Sequence, residues 1–298
     1  MFISRLDPVS HAARRGLSDL TIRNLFIIPT IAFLIVFNIF PLIYSLGYSF
    51  TDFRASSNEP ASFVGLQNYR ELLNDAHVWN NFAVTARYVL VSVGGQVLVG
   101  FGVAMLLNRK LPLKGVLTTL LLLPMMMSMA VVGLFWSLLY SPSWGIINYA
   151  LGLEDFAWLS NPDVALYAVA ITDIWMWSPF VMLLCLAGLS AIPQHLYEAA
   201  AIDRASRWYT FTRITLPLVT PLLLIAIIFR TMEAFKTFDL AFIMSSQETT
   251  ELIAIRLYKL AFQEWQTGRS CALAYIVLIM VLAITNIYVK YLNRAKER

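Results

Sequence analysis

Six long apolar stretches limit what this 298-residue chain can fold into. Each is long enough to cross a hydrocarbon core roughly 30 Å thick as a helix of about 20 residues. Helices are favoured because backbone groups in lipid must find partners within their own segment, and the ~10-residue alternating segments of a β-barrel do not occur. We therefore predict an all-α membrane protein with six transmembrane helices, at residues 25–50, 82–107, 116–140, 164–189, 216–243 and 271–292.

Composition supports the membrane class and excludes others. Hydrophobic residues make up 59% of the chain and charged residues only 13%, whereas soluble domains have about 25% charged residues. The two cysteines, Cys185 and Cys271, exclude a scaffold built on disulfides. The net charge of +4 is too small to suggest a nucleic-acid partner.

The distribution of lysine and arginine predicts how the chain is oriented. If the six helices alternate across the bilayer, one side carries 14 of these residues and the other carries 5. The side rich in lysine and arginine is cytoplasmic, so both termini are predicted to be cytoplasmic. We expect a cytoplasmic tail at 1–24, a six-span membrane domain at 25–292 and a second cytoplasmic tail at 293–298.

The sequence has no motif for catalysis or for nucleotide binding. It lacks the G-x-x-x-x-G-K-[ST] phosphate loop, the H-E-x-x-H zinc motif and the G-x-S-x-G nucleophile turn. Its three histidines, His11, His77 and His195, lie outside the predicted helices. We therefore expect a chain that is not an enzyme, has no catalytic residue, and binds no metal or cofactor of its own.

The predicted cytoplasmic loop 190–217 has an unusual pattern. Apolar and charged residues alternate in it at helical spacing, and Pro193 suits the start of a helix. We predict a short helix after Pro193, a turn at 204–206 and a second helical piece that enters the fifth span. Pro217 is expected to push Leu216 away from α-helical geometry.

Two roles fit this amphipathic loop. It can be a connector that lies on the membrane surface. Alternatively, its apolar face can insert into a groove of a partner protein, where Glu198 and Asp203 would pair with basic residues.

Ionisable residues also fall within the predicted spans, where charge is expensive and normally faces protein or a water-filled cavity. Asp173 lies near the middle of the fourth span beside two tryptophans, so it fits either sugar binding or a buried ion pair. Arg230 and Glu233 share one helix face in the fifth span and fit either a substrate pathway or an intrahelical pair. Lys236 is expected to pair with Asp239.

The loop resembles a signature of ABC importer permeases. That signature is E-A-A, three residues, G, nine residues and I-x-L-P, and the chain matches it with E-A-A at 198–200 and I-T-L-P at 214–217. Arg204 stands where the family usually has glycine, so the turn either has right-handed geometry or carries strain. Flanking segments such as DIWMWSPFVMLLCLAGLSAIP and FVGLQNYRELL resemble the carbohydrate branch, which includes maltose and glycerol-phosphate importers. The resemblance covers about 25–290.

The resemblance implies a type I importer fold and a set of partners. Such permeases work in pairs, so we expect a second homologous permease, a dimeric ATPase that uses ATP and Mg²⁺, and a solute-binding protein that delivers a sugar. The first helix of the loop would be the coupling helix that docks on the ATPase. The residues implied in coupling are Glu198, Ala199, Ala200, Asp203, Arg204, Leu216 and Pro217.

The resemblance also implies which residues line the sugar pathway in the bacterial inner membrane. On the fourth span these are Asp173, Trp177 and Phe180, and on the fifth span they are Arg230, Glu233, Ala234 and Thr237. If Arg230 faces the cavity, it could bind the anionic group of an acidic sugar. The alternative function is a secondary transporter or channel without an ATPase, in which Asp173, Arg230 and Glu233 would couple ions.

Overall fold

The computed structural model describes residues 18–109, 111–153, 155–244 and 250–296, which form helices joined by turns and loops. An isolated bridge between Thr51 and Phe63 is the only β pairing in these ranges. The prediction of an all-α membrane protein is therefore confirmed for the described residues. Several basic residues used in the orientation argument lie outside them, namely Arg5, Arg14, Arg15, Lys110 and Arg298.

The α-helices follow one another along the chain with short connections. Their bounds are α1 (Asp19–Leu34), α2 (Phe40–Ser49), α3 (Gln67–Asn74), α4 (Ala76–Leu107), α5 (Lys114–Leu122), α6 (Met129–Leu139), α7 (Ile146–Leu151), α8 (Ala165–Ser190), α9 (Gln194–Ile202), α10 (Arg207–Thr210), α11 (Leu216–Phe235), α12 (Asp239–Met244), α13 (Ile253–Tyr258) and α14 (Thr267–Lys296).

Five stretches in the described part of the chain are helical, long and apolar enough to cross a membrane. They are Arg23–Ser49, Ala76–Leu107, Ala165–Ser190, Arg207–Phe235 and Thr267–Asn293. These stretches correspond to the predicted first, second, fourth, fifth and sixth spans, with shifted ends.

The predicted third span, 116–140, is not one continuous helix. It is divided into α5 and α6, with a 3₁₀ turn at Pro124–Met126 between them and extended backbone at Met127 and Ser128. Proline lacks the N–H that an α-helix needs and its ring clashes with the preceding turn, so Pro124 favours the end of α5 just before it. Hydropathy alone could not reveal it, because both halves are apolar.

The predicted bounds of the fifth span, 216–243, were wrong at both ends. The helix begins at α10 and runs through a π turn at Phe211–Thr215 into α11. Leu216 is α-helical (φ −63°, ψ −47°), contrary to the expectation from Pro217. The π turn inserts an extra residue just before the proline, which relieves the clash that a regular helix would have there. The helix ends at Phe235, and α12 is separate.

The chain divides into two compact units, one up to Gly47 and one from Tyr48 onwards. The first unit contains α1, a π turn at Ile35–Ile39 and most of α2. In this unit Thr30 Oγ1 donates a hydrogen bond to the Phe26 carbonyl at 2.8 Å, and the rings of Phe33 and Phe37 lie 4.4 Å apart. Its apolar helix is the predicted first span.

The core of the second unit forms where α4, α8 and α11 pack together. Small residues allow the backbones of α4 and α8 to approach closely, as in other membrane helix pairs. A Cβ atom placed on Gly100 of α4 would lie 2.6 Å from the Ser178 carbonyl oxygen and 2.8 Å from Val181 Cβ. Glycine is therefore required at this contact.

Polar contacts organise the segment before α3 and attach it to α3. Asn68 Nδ2 donates to the carbonyl oxygens of Ser49 at 2.9 Å and Thr51 at 2.8 Å. The backbone N–H and hydroxyl of Ser62 both donate to the Asp52 carboxylate, and these bonds lower the pKa of Asp52.

A buried carboxylate ties the segment before α13 to the start of α4. Glu251 is 2% exposed, and its carboxylate contacts Lys259 Nζ at 2.8 Å and His77 Nε2 at 3.4 Å. Asn81 Nδ2 also donates to the Glu251 backbone carbonyl at 3.0 Å. These contacts fix the loop on the helical bundle.

We predict that Gly100→Ala destabilises the α4–α8 contact by about 1–3 kcal/mol, because the added methyl group overpacks it. The matched control is Gly94→Ala on the same helix, since no atom lies within 4 Å of a Cβ at Gly94. The control should be neutral or stabilising, because glycine in a helix costs about 0.5–1 kcal/mol relative to alanine. Thermostability in detergent, measured by size-exclusion chromatography, tests this. Equal effects of both substitutions would contradict the packing argument.

Candidate functional site

A buried ion pair joins α8 to α11 inside the helical bundle. Asp173 and Arg230 are each 2% exposed, and Arg230 Nη2 lies 3.4 Å from Asp173 Oδ2. Each charge would be costly in this environment without its partner, because low-dielectric surroundings do not solvate it. The structure therefore forms the buried ion pair, one of the two alternatives considered for Asp173.

Two side chains of α4 complete the polar cluster around this pair. Arg230 Nε donates to Gln96 Oε1 at 2.8 Å, and Gln96 Nε2 donates to Asp173 Oδ2 at 2.7 Å. The Ser92 hydroxyl donates to Asp173 Oδ2 and accepts from Gln96 Nε2, the latter at 2.8 Å. Ser92 and Gln96 are fully buried. The cluster thus links three membrane helices through hydrogen bonds to both charges.

The guanidinium of Arg230 also covers an aromatic ring. Its Cζ lies 4.4 Å from the centroid of the Trp177 ring, which is within the range of a cation–π interaction. One helical turn further along α8, Phe180 makes an edge contact with Phe229 of α11, with ring centroids 6.5 Å apart. Trp177 and Phe180 are half-buried and Phe229 is exposed. These aromatic rings form an accessible apolar surface beside the buried cluster.

The loop 190–217 has the predicted succession of helix, turn and helix. Pro193 precedes α9, and α9 ends in a Schellman motif, in which Ala205 N donates to Ala200 O at 2.9 Å and Arg204 N donates to Ala201 O at 3.2 Å. Ser206 Oγ then accepts from Tyr209 N and caps α10.

Arg204 occupies the left-handed position of this motif, with φ +50°. Glycine is the usual residue there because a side chain at positive φ costs free energy, roughly 1–2 kcal/mol. Of the two alternatives considered for Arg204, the structure therefore shows the strained one. The glycine of the family signature has a direct explanation in this backbone geometry.

The exposed face of α9 contains the predicted coupling residues Glu198 and Ala199, together with Ile202, which is 81% exposed. Ala200 is buried instead and packs towards the chain's own helices. The Tyr197 hydroxyl lies 3.1 Å from Thr215 Oγ1 and connects α9 to the π turn. The loop thus presents one free face while its other face is anchored to the bundle.

Comparison with known proteins assigns the chain to a family. Residues 96–298 match the family described as "binding-protein-dependent transport system inner membrane component". The chain belongs to this family. The match includes the loop 190–217 and every residue of the buried polar cluster except Ser92.

Two sequence relatives align with this permease over nearly their whole length. The trehalose/maltose transport system permease protein MalF of Thermococcus litoralis is 35% identical over 276 residues, which are 89% of this chain and 92% of that protein. The sulfoquinovosyl glycerol transport system permease protein SmoG of Agrobacterium fabrum is 30% identical, over 93% and 92% of the two chains.

A solved structure has the same fold. A chain of a bacterial ABC transporter involved in the import of the acidic polysaccharide alginate matches with a TM-score of 0.78 and 21% identity, over 92% of this permease and 95% of that chain. The permease is therefore a multi-pass inner-membrane component with the fold of an ABC importer subunit.

The residues predicted to line the fifth-span pathway do not share one environment in the permease. Arg230, Ala234 and Thr237 are buried against other helices of the chain, with exposures of 2%, 0% and 6%. Glu233 is exposed and pairs with Lys236 at 2.7 Å, so neither the Arg230–Glu233 pair nor the Lys236–Asp239 pair is formed. The role of these four residues in a pathway stays a prediction.

Sequence analysis missed Ser92, Gln96 and Phe229. Ser92 and Gln96 are four residues apart in an otherwise apolar span, so they share a helix face, and this was a usable signal. No local pattern distinguishes Phe229 from the other apolar residues of α11.

We predict that Asp173→Ala destabilises the permease by about 3–5 kcal/mol, because it leaves the Arg230 charge buried without a partner. The combined variant Asp173→Asn with Arg230→Gln removes both charges and keeps polar groups for Gln96, so it should cost much less. Detergent thermostability measures both effects. If the combined variant is as unstable as Asp173→Ala, unpaired charge is not the cause.

We predict that Arg204→Gly stabilises the end of α9 by about 1 kcal/mol, because glycine has no Cβ penalty at positive φ. Arg207→Gly is the control, since Arg207 is helical in α10 and exposed; it should not stabilise the protein, because glycine is a poor helix former. Hydrogen exchange of the α9 amides should slow in the first variant. Faster exchange there would exclude strain at Arg204.

Proposed function

We propose that this permease forms half of the translocation pathway of an ATP-driven ABC importer for a sugar or sugar derivative. A solute-binding protein delivers the substrate, and a separate ATPase chain hydrolyses ATP with Mg²⁺, so this chain needs no cofactor. The proposal rests on the family match together with the geometry of the loop 190–217. In this loop Arg204, at the position where the family signature has glycine, has the left-handed backbone of a helix cap.

In this proposal the chain crosses the membrane six times and both termini are cytoplasmic. The excess of lysine and arginine on one side supports this orientation. The third crossing consists of α5 and α6 with the break at Pro124 between them. Non-helical backbone at membrane depth is tolerated where it faces protein or a water-filled cavity, which supports a position of this break beside the translocation pathway.

The proposed coupling element is α9, which docks on the ATPase dimer. Glu198 pairs with a basic residue of the ATPase, while Ala199 allows close approach and Ile202 inserts its exposed side chain into an apolar groove. Ala200 supports the helix from inside. Asp203 and Arg204 form the end of α9, and the first helical turn of α11, with Leu216 and Pro217, transmits movement of the loop into that helix.

The proposed sugar pathway runs along the accessible aromatic surface of Trp177, Phe180 and Phe229. Aromatic rings can cover the apolar face of a sugar, and polar groups bind its hydroxyls. The other half of the pathway comes from a second permease, which we propose to be a distinct homologue. The names of the relatives, which include trehalose, maltose and sulfoquinovosyl glycerol transport, support a sugar as substrate.

The decisive experiment is co-purification followed by transport in proteoliposomes. The permease is expressed with its neighbouring open reading frames, and we expect a second membrane chain, an ATPase and a binding protein to copurify or associate. ATP-dependent uptake is then measured with labelled trehalose, maltose and sulfoquinovosyl glycerol. Uptake without an ATPase would instead support a secondary transporter or channel.

We predict that Glu198→Ala lowers ATP-driven uptake at least about tenfold while leaving the membrane chains folded, because one desolvated charged contact is worth roughly 2 kcal/mol or more. Glu59→Ala is the matched control, since Glu59 is an exposed glutamate in the loop before α3. Unchanged uptake and unchanged ATPase association in the Glu198 variant would refute the coupling role.

A further inference from the structure

We infer that Arg230 is a positioning residue that fixes the ring of Trp177 as a platform for the sugar, and that it does not bind the substrate itself. This inference rests on the proposed function, since it assigns roles within the proposed sugar pathway. It differs from the expectation that Arg230 faces the cavity and binds an anionic group.

The position of Arg230 argues against direct contact with the substrate. Its side chain is 3% exposed, and its charge is already matched by Asp173 at 3.4 Å. Its Nε donates to Gln96 at 2.8 Å. An anionic sugar would have to displace a protein carboxylate from a buried pair, which is costly because Asp173 would then be left unpaired.

Hydrogen bonds from two other helices hold the guanidinium in one orientation. Gln96 of α4 accepts from Nε, and Asp173 of α8 accepts from Nη2 with both oxygens at 3.4 Å. The side chain of Gln96 is itself fixed, because its amide nitrogen donates to Asp173 and Ser92. A planar group held at two of its nitrogens has little rotational freedom.

The ring of Trp177 packs against the fixed guanidinium of Arg230. The guanidinium carbon lies 4.4 Å from the ring centroid, so rotation of the indole would break the cation–π contact. The indole is nevertheless half-buried, and part of it stays accessible beside Phe180. The buried part of the indole includes Nε1, so the accessible part is apolar.

An immobilised aromatic ring with an accessible apolar part suits a carbohydrate. A sugar presents apolar C–H groups that can pack on the accessible part of an indole. Fixing the ring beforehand reduces the entropy lost when the sugar binds. Arg230 therefore contributes to transport through Trp177.

The test is a double-mutant cycle in the reconstituted complex, using whichever of labelled trehalose, maltose or sulfoquinovosyl glycerol the wild type imports. The neutral combination Arg230→Gln with Asp173→Asn removes the cation without leaving an unpaired charge. The quantity measured is sugar imported per ATP hydrolysed, because a purely structural defect would lower import and hydrolysis together.

We expect the neutral combination to lower this ratio about tenfold in the wild-type background and less than about twofold when Trp177→Leu is already present. Arg230→Lys, which keeps a cation, should restore part of the loss. The fluorescence of Trp177, obtained by difference from Trp177→Phe, should show greater ring mobility in the neutral combination. The matched control removes another ion pair, by Arg256→Gln with Glu264→Gln, and should leave the ratio unchanged.

Equal losses in the two backgrounds would overturn the inference, as would an unchanged ratio in the neutral combination. In both cases wild-type import would still support the proposed function. If the wild-type complex imports none of the three sugars, the proposed sugar pathway fails, and the inference fails with it.

Discussion

The Asp173–Arg230 pair lies where three apolar helices meet, and much of the surrounding packing follows from the cost of keeping either charge there alone. Ser92 and Gln96 are polar residues on the buried face of α4, where they supply the further hydrogen bonds that the carboxylate and the guanidinium need. Because these contacts are directional, they fix α4, α8 and α11 in one register. Apolar packing alone would tolerate sliding between such helices, since lipid is as apolar as their side chains.

The same cluster separates a rigid interior from an accessible aromatic surface. Trp177 belongs to both, because one part of its ring contacts Arg230 and another part stays open. The exposed side of α11 has a different chemistry, with the Glu233–Lys236 pair half-exposed. This arrangement places the apolar part of the Trp177 ring at the boundary between the two regions, where a substrate can pack on it.

Sequence analysis predicted the features that depend on local composition. Hydropathy located five helices, and the pattern of the loop 190–217 predicted α9, the turn and α10. It failed where partners distant in sequence decide the structure. Spacing suggested an Arg230–Glu233 pair as one of two alternatives, but the partner of Arg230 is Asp173, 57 residues away. Leu216 was placed outside α geometry by a rule about proline, and a π turn upstream made that rule inapplicable.

The break at Pro124 has a consequence for how the permease enters the membrane during synthesis. By themselves α5 and α6 are about 14 Å and 17 Å long, and neither spans a bilayer. The backbone groups between them would lack partners in lipid. Since α5 packs on α8, and α6 packs on α8 and α12, the proposed third span gains most of its helix contacts after those later segments have been made. The stable packing of this proposed span therefore depends on the downstream half of the chain.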